Sequence, residues 1–392
     1  MRFLSIQLEI RGIYQVIKYL KFAVIGAAVA VSGFSASDAQ ASNPYSCSDT
    51  KYGSSYGTYS TCAGTNTQAS TVTTSNAVLA TASTAAAKLV SSRVSTALGG
   101  TGGVNVAANG FSASTGQSAG QSASPIGAWV SGSWSNIEDE NVSTAFDGDV
   151  FSAMAGVDYR VTPKVVVGLS VGYEDLDIDT EYNGFGSLEG SLEGDGYTIA
   201  PYIGGEIAPN VTASLTLGYS DVEYDTLRYD PLTGAQITGN TDADRYFVNA
   251  AVGGEHMYDE NWRIRGNASV FFATEEKDGF TEVVSDGSTV ANSDQDNDFG
   301  QVALDAKIGY VFDMVEPYAL VGVSYDFAKD EAPVAAGQSR SSLDDEDFAA
   351  KFGAGVDFNL GHNVTAGLEA YTVEFRDDYD EYTVSGGLRV EF

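Results

Sequence analysis

Cysteine, histidine, methionine and proline are all scarce in this chain, which has 2 Cys, 2 His, 4 Met and 8 Pro in 392 residues. Basic residues are scarce as well: Lys+Arg is 20 against Asp+Glu 53, a net charge of -33. That balance excludes a general affinity for nucleic-acid phosphate. Beyond the first 41 residues no apolar run approaches the roughly 20 residues that a membrane-spanning helix needs. Any crossing of a bilayer by the rest of the chain therefore falls to strands.

Glycine and aromatic residues are plentiful, with 44 Gly, 22 Tyr and 19 Phe. With so little Pro and Met, this composition suits short twisted strands with aromatic belts better than helix bundles. The beginning of the chain has the pattern of an export signal. A basic stretch (Arg11, Lys18, Lys21) precedes an apolar run from Phe22 to Phe34, and small residues end at Ala39-Gln40-Ala41. Cleavage after Ala41 is expected, since the run is too short to span a bilayer and ends in an A-x-A site. Export also sets the redox compartment. Cys47 and Cys62 sit in a Tyr/Ser/Gly-rich stretch with no His nearby, and one short disulfide loop is their expected chemistry.

Composition divides the chain into a signal peptide (1–41), a short N-terminal segment (42–125) and one long alternating region (126–392). Within 42–125 the disulfide loop is followed by an Ala/Ser/Thr-rich stretch, 65–98, and a Gly-rich linker, 99–125. In the Ala/Ser/Thr-rich stretch Val72, Leu79, Ala82, Ala86, Leu89, Val90, Val94 and Leu98 recur at threes and fours, with Gly99-Gly100 as a stop. Two readings stand: a slim helix, or a low-complexity stalk, because Ser and Thr are mediocre helix formers.

From Ile126 onward the dominant period is two. In 211–219 Val211, Ala213, Leu215, Leu217 and Tyr219 share one face, opposite Thr212, Ser214, Thr216 and Gly218. Charged residues in mid-strand, such as Arg263, Arg265, Asp305, Lys307, Lys351 and Asp357, fall on the face away from the apolar one. Twelve such segments are expected, near 126–137, 149–160, 164–179, 190–208, 211–229, 235–258, 262–277, 298–313, 315–328, 345–359, 363–377 and 380–392. Each reaches the ~9–11 residues of a tilted spanning strand, and an even number suits a closed antiparallel barrel. Connections alternate between tight turns (Thr162-Pro163-Lys164, Pro209-Asn210, Asp259-Glu260-Asn261) and longer acidic loops such as 278–297 and 329–344. Short turns on one side and long loops outside the cell are the arrangement of outer-membrane barrels. A soluble β-sandwich shares the period but not that rhythm.

The last strand alternates back from a terminal aromatic through Tyr382, Val384, Leu388, Val390 and Phe392. It resembles the C-terminal signal by which the outer-membrane barrel assembly machinery recognises its clients, so these five residues are the expected assembly signal. With Gly127-Ala128-Trp129-Val130-Ser131-Gly132 at its start, region 125–392 resembles the autotransporter translocator family. The resemblance implies an all-β fold: a twelve-stranded antiparallel transmembrane β-barrel whose lumen holds a helix, through which an N-terminal passenger reaches the surface. A barrel of twelve strands has room for a helix about 10–12 Å across, and 68–98 is the candidate. The chain departs from the family in having only a short segment before the barrel and a Gly-rich linker before the first strand.

No catalytic constellation can be assembled. His256 and His362 lie near short turns with no triad context, and no G-x-S-x-G element occurs. The run Asp294-Gln295-Asp296-Asn297-Asp298 spaces carboxylates like a calcium loop, but Phe299 stands where such a loop needs Gly and no Glu closes it. It is expected to be a solvated acidic loop. With Asp344-Asp345-Glu346-Asp347 and Asp377-Asp378 it makes diffuse, nonspecific divalent cations the expected ionic partners. The expected protein is a non-enzymatic outer-membrane barrel of a Gram-negative bacterium, without cofactor, contacting lipid and displaying a short N-terminal segment. The alternatives are a pore for small solutes and an adhesin acting through its acidic loops.

Overall fold

A computed structural model describes residues 78–90, 103–104, 113–114, 125–140, 145–182, 188–230, 233–259, 261–329, 347–360, 364–376 and 379–391. The expected signal peptide, Cys47, Cys62, His362 and Phe392 lie outside the described residues. The barrel strands are β1 Ile126–Asp139, β2 Phe146–Thr162, β3 Val165–Tyr182, β4 Leu188–Ala208, β5 Val211–Tyr229, β6 Gln236–Met257, β7 Trp262–Lys277, β8 Gln295–Tyr310, β9 Val315–Lys329, β10 Phe348–Asn359, β11 Val364–Arg376 and β12 Tyr379–Glu391. Every consecutive pair is antiparallel. β12 returns to β1, from Tyr379 opposite Asp139 to Glu391 opposite Gly127, so the barrel closes on itself. Closure satisfies every strand's backbone without water, which a lipid environment demands.

The segments expected from period two are these strands, with one correction. Gln295–Asp298, expected as part of an acidic loop, extends β8 and pairs with Lys277–Thr274 of β7. The preceding loop carries a small hairpin, Thr281–Val284 with Thr289–Ala291, turned at Gly287 with φ 88°. This hairpin docks on the top of β6, Val283 opposite Thr238. Within 42–125, Gly103–Val104 pairs with Ala113–Ser114, and 78–90 is helical. Among the described residues no helix is long and apolar enough to cross a membrane.

The exterior is greasy. Val157, Leu169, Val171, Ile199, Leu215, Leu217, Ile308, Val321 and Leu368 are all exposed, which is tolerable only where the surroundings are lipid. Aromatic pairs bound this band. Near the tight turns Trp262 and Tyr310 meet edge-on at 5.2 Å, with Phe312 4.8 Å from Tyr310. Toward the other end stand Tyr173 with Tyr197 (5.4 Å), Tyr219 with Tyr246 (5.3 Å) and Phe352 with Phe375 (6.4 Å).

Beyond the second belt the polarity of the wall inverts while the pleat continues unbroken. On β3 the outward series Leu169, Val171, Tyr173 becomes Asp175, Asp177, Asp179, all exposed, while the inward Leu176 and Ile178 are buried. On β5 Leu215, Leu217, Tyr219 gives way to Asp221, Glu223, Asp225, with Val222 and Tyr224 buried inside. Alternation persists because the strand persists. What changes is the medium: water replaces lipid outside, and an apolar core replaces the polar lumen inside.

The wall is uneven. β3 to β6 run 18, 21, 19 and 22 residues, whereas β9 to β12 run 15, 12, 13 and 13, so the first group rises above the second as a half-crown. Inside, aromatic side chains lie across glycines of the next strand. A Cβ on Gly168 would stand 2.1 Å from the Tyr202 ring and one on Gly218 2.0 Å from that of Phe247. Any larger residue there displaces the ring into the lumen, which explains part of the glycine content.

Candidate functional site: the filled lumen

The lumen is occupied by helix 78–90, a run rich in Ala, Ser and Thr with Val78, Leu79, Leu89 and Val90 at its ends. Its small side chains keep it slender enough for a twelve-stranded wall. All four end residues and Ala82 are fully buried. Two apolar clusters grip the helix. Val78 and Ala82 join Ile137 of β1, Phe146 and Val150 of β2, Leu176, Ile178, Leu192, Val222, Tyr224 and Ala243 of the half-crown, and Tyr379 of β12. Leu79, Ala86, Ala87, Leu89 and Val90 join Trp129, Met154, Val166, Ala200, Tyr202, Phe247, Phe271, Ala273 and Phe299. Thr81 is hydrogen-bonded to Tyr379. Lys88, the helix's single charge, lies in the field of Lys351, Asp305 and Glu381.

The mid-strand charges expected to avoid the apolar face do so by entering the lumen, where they are paired. On one side Arg263 Nη1 donates to Glu316 Oε2 (2.8 Å), and Arg265 donates to Glu316 Oε1 (2.6 Å) and Asp357 Oδ2 (3.1 Å). Lys307 pairs with Glu369, which also accepts from the Tyr318 hydroxyl at 2.7 Å. Lys351 lies 3.5 Å from Asp305. Near the closing seam Arg389 grips Asp158 with both Nη atoms, at 2.7 and 3.0 Å. Arg376 reaches Asp326 at 2.6 Å. A β-bulge within 373–376 and a left-handed Phe375 (φ 68°) accompany it: Phe375 is exposed and Arg376 faces inward, which is how bulges re-aim side chains.

The most buried network was not legible as a site. Arg245 on β6 donates to Glu174 on β3 (2.7 Å), to Glu275 on β7 (2.8 Å) and to the Tyr224 hydroxyl on β5 (2.9 Å). Lys277 sits 4.6 Å from the centre of the Tyr224 ring. Arg245 and Glu174 alone are 71 positions apart, and only the curling of the sheet into a barrel brings the four strands' side chains together. Strand alternation puts each of these residues on the inner face.

Of the expected assembly-signal residues, Tyr382, Val384 and Leu388 face outward and are exposed, and Val390 is partly covered. His256 is exposed beside the β6–β7 turn. The Asp294–Asp298 run does not converge on a cation. Asp294 accepts from the Gly279 N–H (2.9 Å), Asp296 points to solvent and Asn297 is buried on the opposite face, as strand geometry requires. Among the described residues no group of three or more His, Cys, Asp and Glu could hold a metal ion.

Residues 128–370 match the model of the autotransporter beta-domain. Among solved structures the barrel is similar to the translocator domain of the autotransporter NalP from Neisseria meningitidis, with TM-score 0.56 and 11% identity, covering 68% of this chain and 89% of that one. It is also similar to the beta domain of the Bordetella autotransporter BrkA, with TM-score 0.51 and 16% identity, covering 68% and 100%. No curated protein matches in sequence. With a closed twelve-stranded barrel around a helix, and a family match spanning more than half of its length, the chain belongs to the autotransporter beta-domain family of outer-membrane barrels.

Proposed function

We propose that this protein resides in the outer membrane of a Gram-negative bacterium and uses its barrel to hold the short N-terminal segment, residues 42–77, at the cell surface. The polarity of the lumen helix carries this reading. Its Val78 end packs where the strands are joined by the longer connections. Its Val90 end shares a cluster with Val166, two residues past the Pro163-Lys164 turn. In outer-membrane barrels the longer connections face outward, so the chain before Val78 leaves on that side. The experiment labels Cys47 and Cys62, after mild reduction, with a membrane-impermeant thiol reagent. Labelling of intact cells is expected, and labelling confined to lysed cells overturns display.

The same helix favours a closed barrel over an open pore for small solutes, because both of its ends are sealed by buried apolar side chains. In planar bilayers the full-length protein is expected to be nearly silent, and a variant lacking 65–98 to conduct. Equal conductance of the two removes the helix as the seal. The pairing of the lumen charges supports a reading in which the excess acidity of the chain lies on the outer surface. We propose that divalent cations gather there diffusely and that the last strand, ending in Phe392, is read by the barrel assembly machinery. Lipid contact falls to the apolar outer band.

A further inference from the structure

The joint between β12 and β1 is joined by no connection of its own, and its register is thinly written in side chains. A slip of two residues keeps every side chain on its own face, because the pleat repeats every two. On the inner face Ser131, Ser133 and Ser135 of β1 stand opposite Gly387, Ser385 and Thr383 of β12. The Ser135 and Thr383 hydroxyls are hydrogen-bonded at 2.8 Å, but a slip of two sets Ser133 against Thr383 or Ser135 against Ser385, again two hydroxyls. Outside, Gly132 stands opposite Gly386 between apolar neighbours, and lipid tails are as apolar as the side chains they would replace. A slip is nevertheless not neutral. The stagger of a closed sheet sets its tilt and diameter, and this lumen is filled by a helix.

Among the described residues one ion pair crosses this joint. Arg389 on β12 and Asp158 on β2 lie 231 positions apart and are 2% and 4% exposed. Nη1 donates to Oδ2 at 2.7 Å and Nη2 to Oδ1 at 3.0 Å, so the guanidinium passes over β1 to reach the strand beyond. Gly127 makes room for it: a Cβ there would stand 2.5 Å from Arg389 Nη2 and 2.8 Å from Asp158 Oδ1. Asp158 is approached from a second side, its Oδ2 lying 3.5 Å from the Tyr202 hydroxyl, which accepts from Trp129 Nε1 at 2.9 Å. A slip of two moves Arg389 about 7 Å along the joint, whereas a fork of two parallel N–H···O bonds has one geometry. It also brings Gly387 or Glu391 to the place of Arg389, and neither supplies a counter-charge to the buried Asp158. Other lumen pairs, such as Arg265 with Glu316 and Lys307 with Glu369, join strands that the chain already connects between β7 and β11.

We propose that Arg389 and Asp158 form the closure latch of the barrel: they select the register in which the last strand joins the first, and through it the stagger and lumen width that the helix fits. Closure by this latch is independent of whether the N-terminal segment is displayed. Arg389 is a positioning residue, its inward side chain borne on the same strand as the outward Tyr382, Val384 and Leu388. One strand thus turns an apolar face to lipid and a register key to the lumen.

Disulfide trapping reads the register. In a Cys47→Ser, Cys62→Ser background, Ser133→Cys is combined with Ser385→Cys, its native partner, or with Thr383→Cys or Gly387→Cys, the partners after a slip of two in either sense. Membranes holding the full-length protein are treated with a mild oxidant, peptide mass spectrometry reads each bridge, and heat-modifiable gel mobility checks that each variant folds. Directly opposed Cβ atoms lie about 4.5–5.5 Å apart and diagonal ones about 7–8 Å, so the native bridge is expected to dominate in the parent. Arg389→Met is expected to raise the slipped bridges about tenfold or more, on the scale of losing a buried ion pair, and to do so also when combined with Asp158→Leu. Slipped bridges in the single variant that vanish in the double one assign the effect to a bare carboxylate and overturn the latch, as does a native register in both. Arg376→Met, which breaks a lumen pair between β9 and β11, is expected to leave the register unchanged, and equal slippage there overturns the latch too. Should Arg389→Met not fold, Arg389→Lys keeps the charge without the fork. Slipped bridges are then expected in that variant, and a native register in it overturns the latch.

Discussion

Arg245 is the side chain whose loss this barrel would feel most. It is fully buried and is the shared donor to Glu174, Glu275 and Tyr224. Arg245→Met leaves two carboxylates in the lumen without their counter-charge, and breaking such a pair costs about 3–5 kcal/mol. Urea unfolding followed by gel mobility is expected to show a loss of that size, and a loss under about 1 kcal/mol would mean that the network is not what holds these strands. Asp259 illustrates the pH dependence of an exposed group. The N–H groups of Trp262 and Asn261 donate to its Oδ1, at 2.7 and 2.8 Å, and hold its carboxyl below the usual range. A lowered folded-state value contributes stability above the ordinary carboxylate range that is lost as pH falls through the lowered value. Asp259→Asn is therefore expected to weaken the β6–β7 turn at neutral pH and to match the parent once both are in acid. A difference that persists unchanged in acid would assign the effect to something other than the charge.

At the scale of elements, the strands were legible because the pleat writes burial into alternate residues, and closure of the barrel changes nothing in that code. The helix was legible at its ends, where Leu79, Ala82, Ala86, Leu89 and Val90 mark one side. The structure places these five residues in the two lumen clusters, which resolves the choice between helix and stalk over 78–90. Leu89→Ala removes an end anchor from a fully buried site, and a cost of about 2–5 kcal/mol is expected. Ala86→Leu overfills the same space and is expected to cost about 1–3 kcal/mol. Both are read as shifts in the unfolding midpoint, with neutrality of both indicating a helix that merely rests in the lumen. The first residues of β8 were misassigned because Asp and Asn are poor strand formers. Their pairing with β7 overrides that preference, as tertiary context commonly does in sheets.

Across the whole molecule, like charges stand directly opposite one another around the outside of the crown. Asp149 faces Asp177, which faces Glu193, which faces Asp225. A neighbouring row runs from Asp175 through Asp195 and Glu223 to Asp242. Such pairs repel, and salt screens exposed charges with a Debye length of about 30 Å at 0.01 M and 8 Å at 0.15 M. The unfolding temperature is expected to rise over that range of salt and to rise again with millimolar calcium or magnesium, falling back with a chelator. A protein indifferent to all three would show that the repulsion is already relieved within the crown.

The sequence by itself determined the strands and their inward and outward faces, because these depend on local periodicity and composition. The phase reversal at Tyr173 and Tyr219 was also written there, since apolar residues move from odd to even positions on β3 and to even ones on β5. Its meaning was not, because only the height of each residue relative to the lipid band tells water from hydrocarbon. The partners of Arg245, Arg265 and Arg389, the polarity of the helix in the lumen and the unequal height of the wall belong to the tertiary structure alone. They depend on which strands closure sets side by side, a long-range outcome that no single segment encodes.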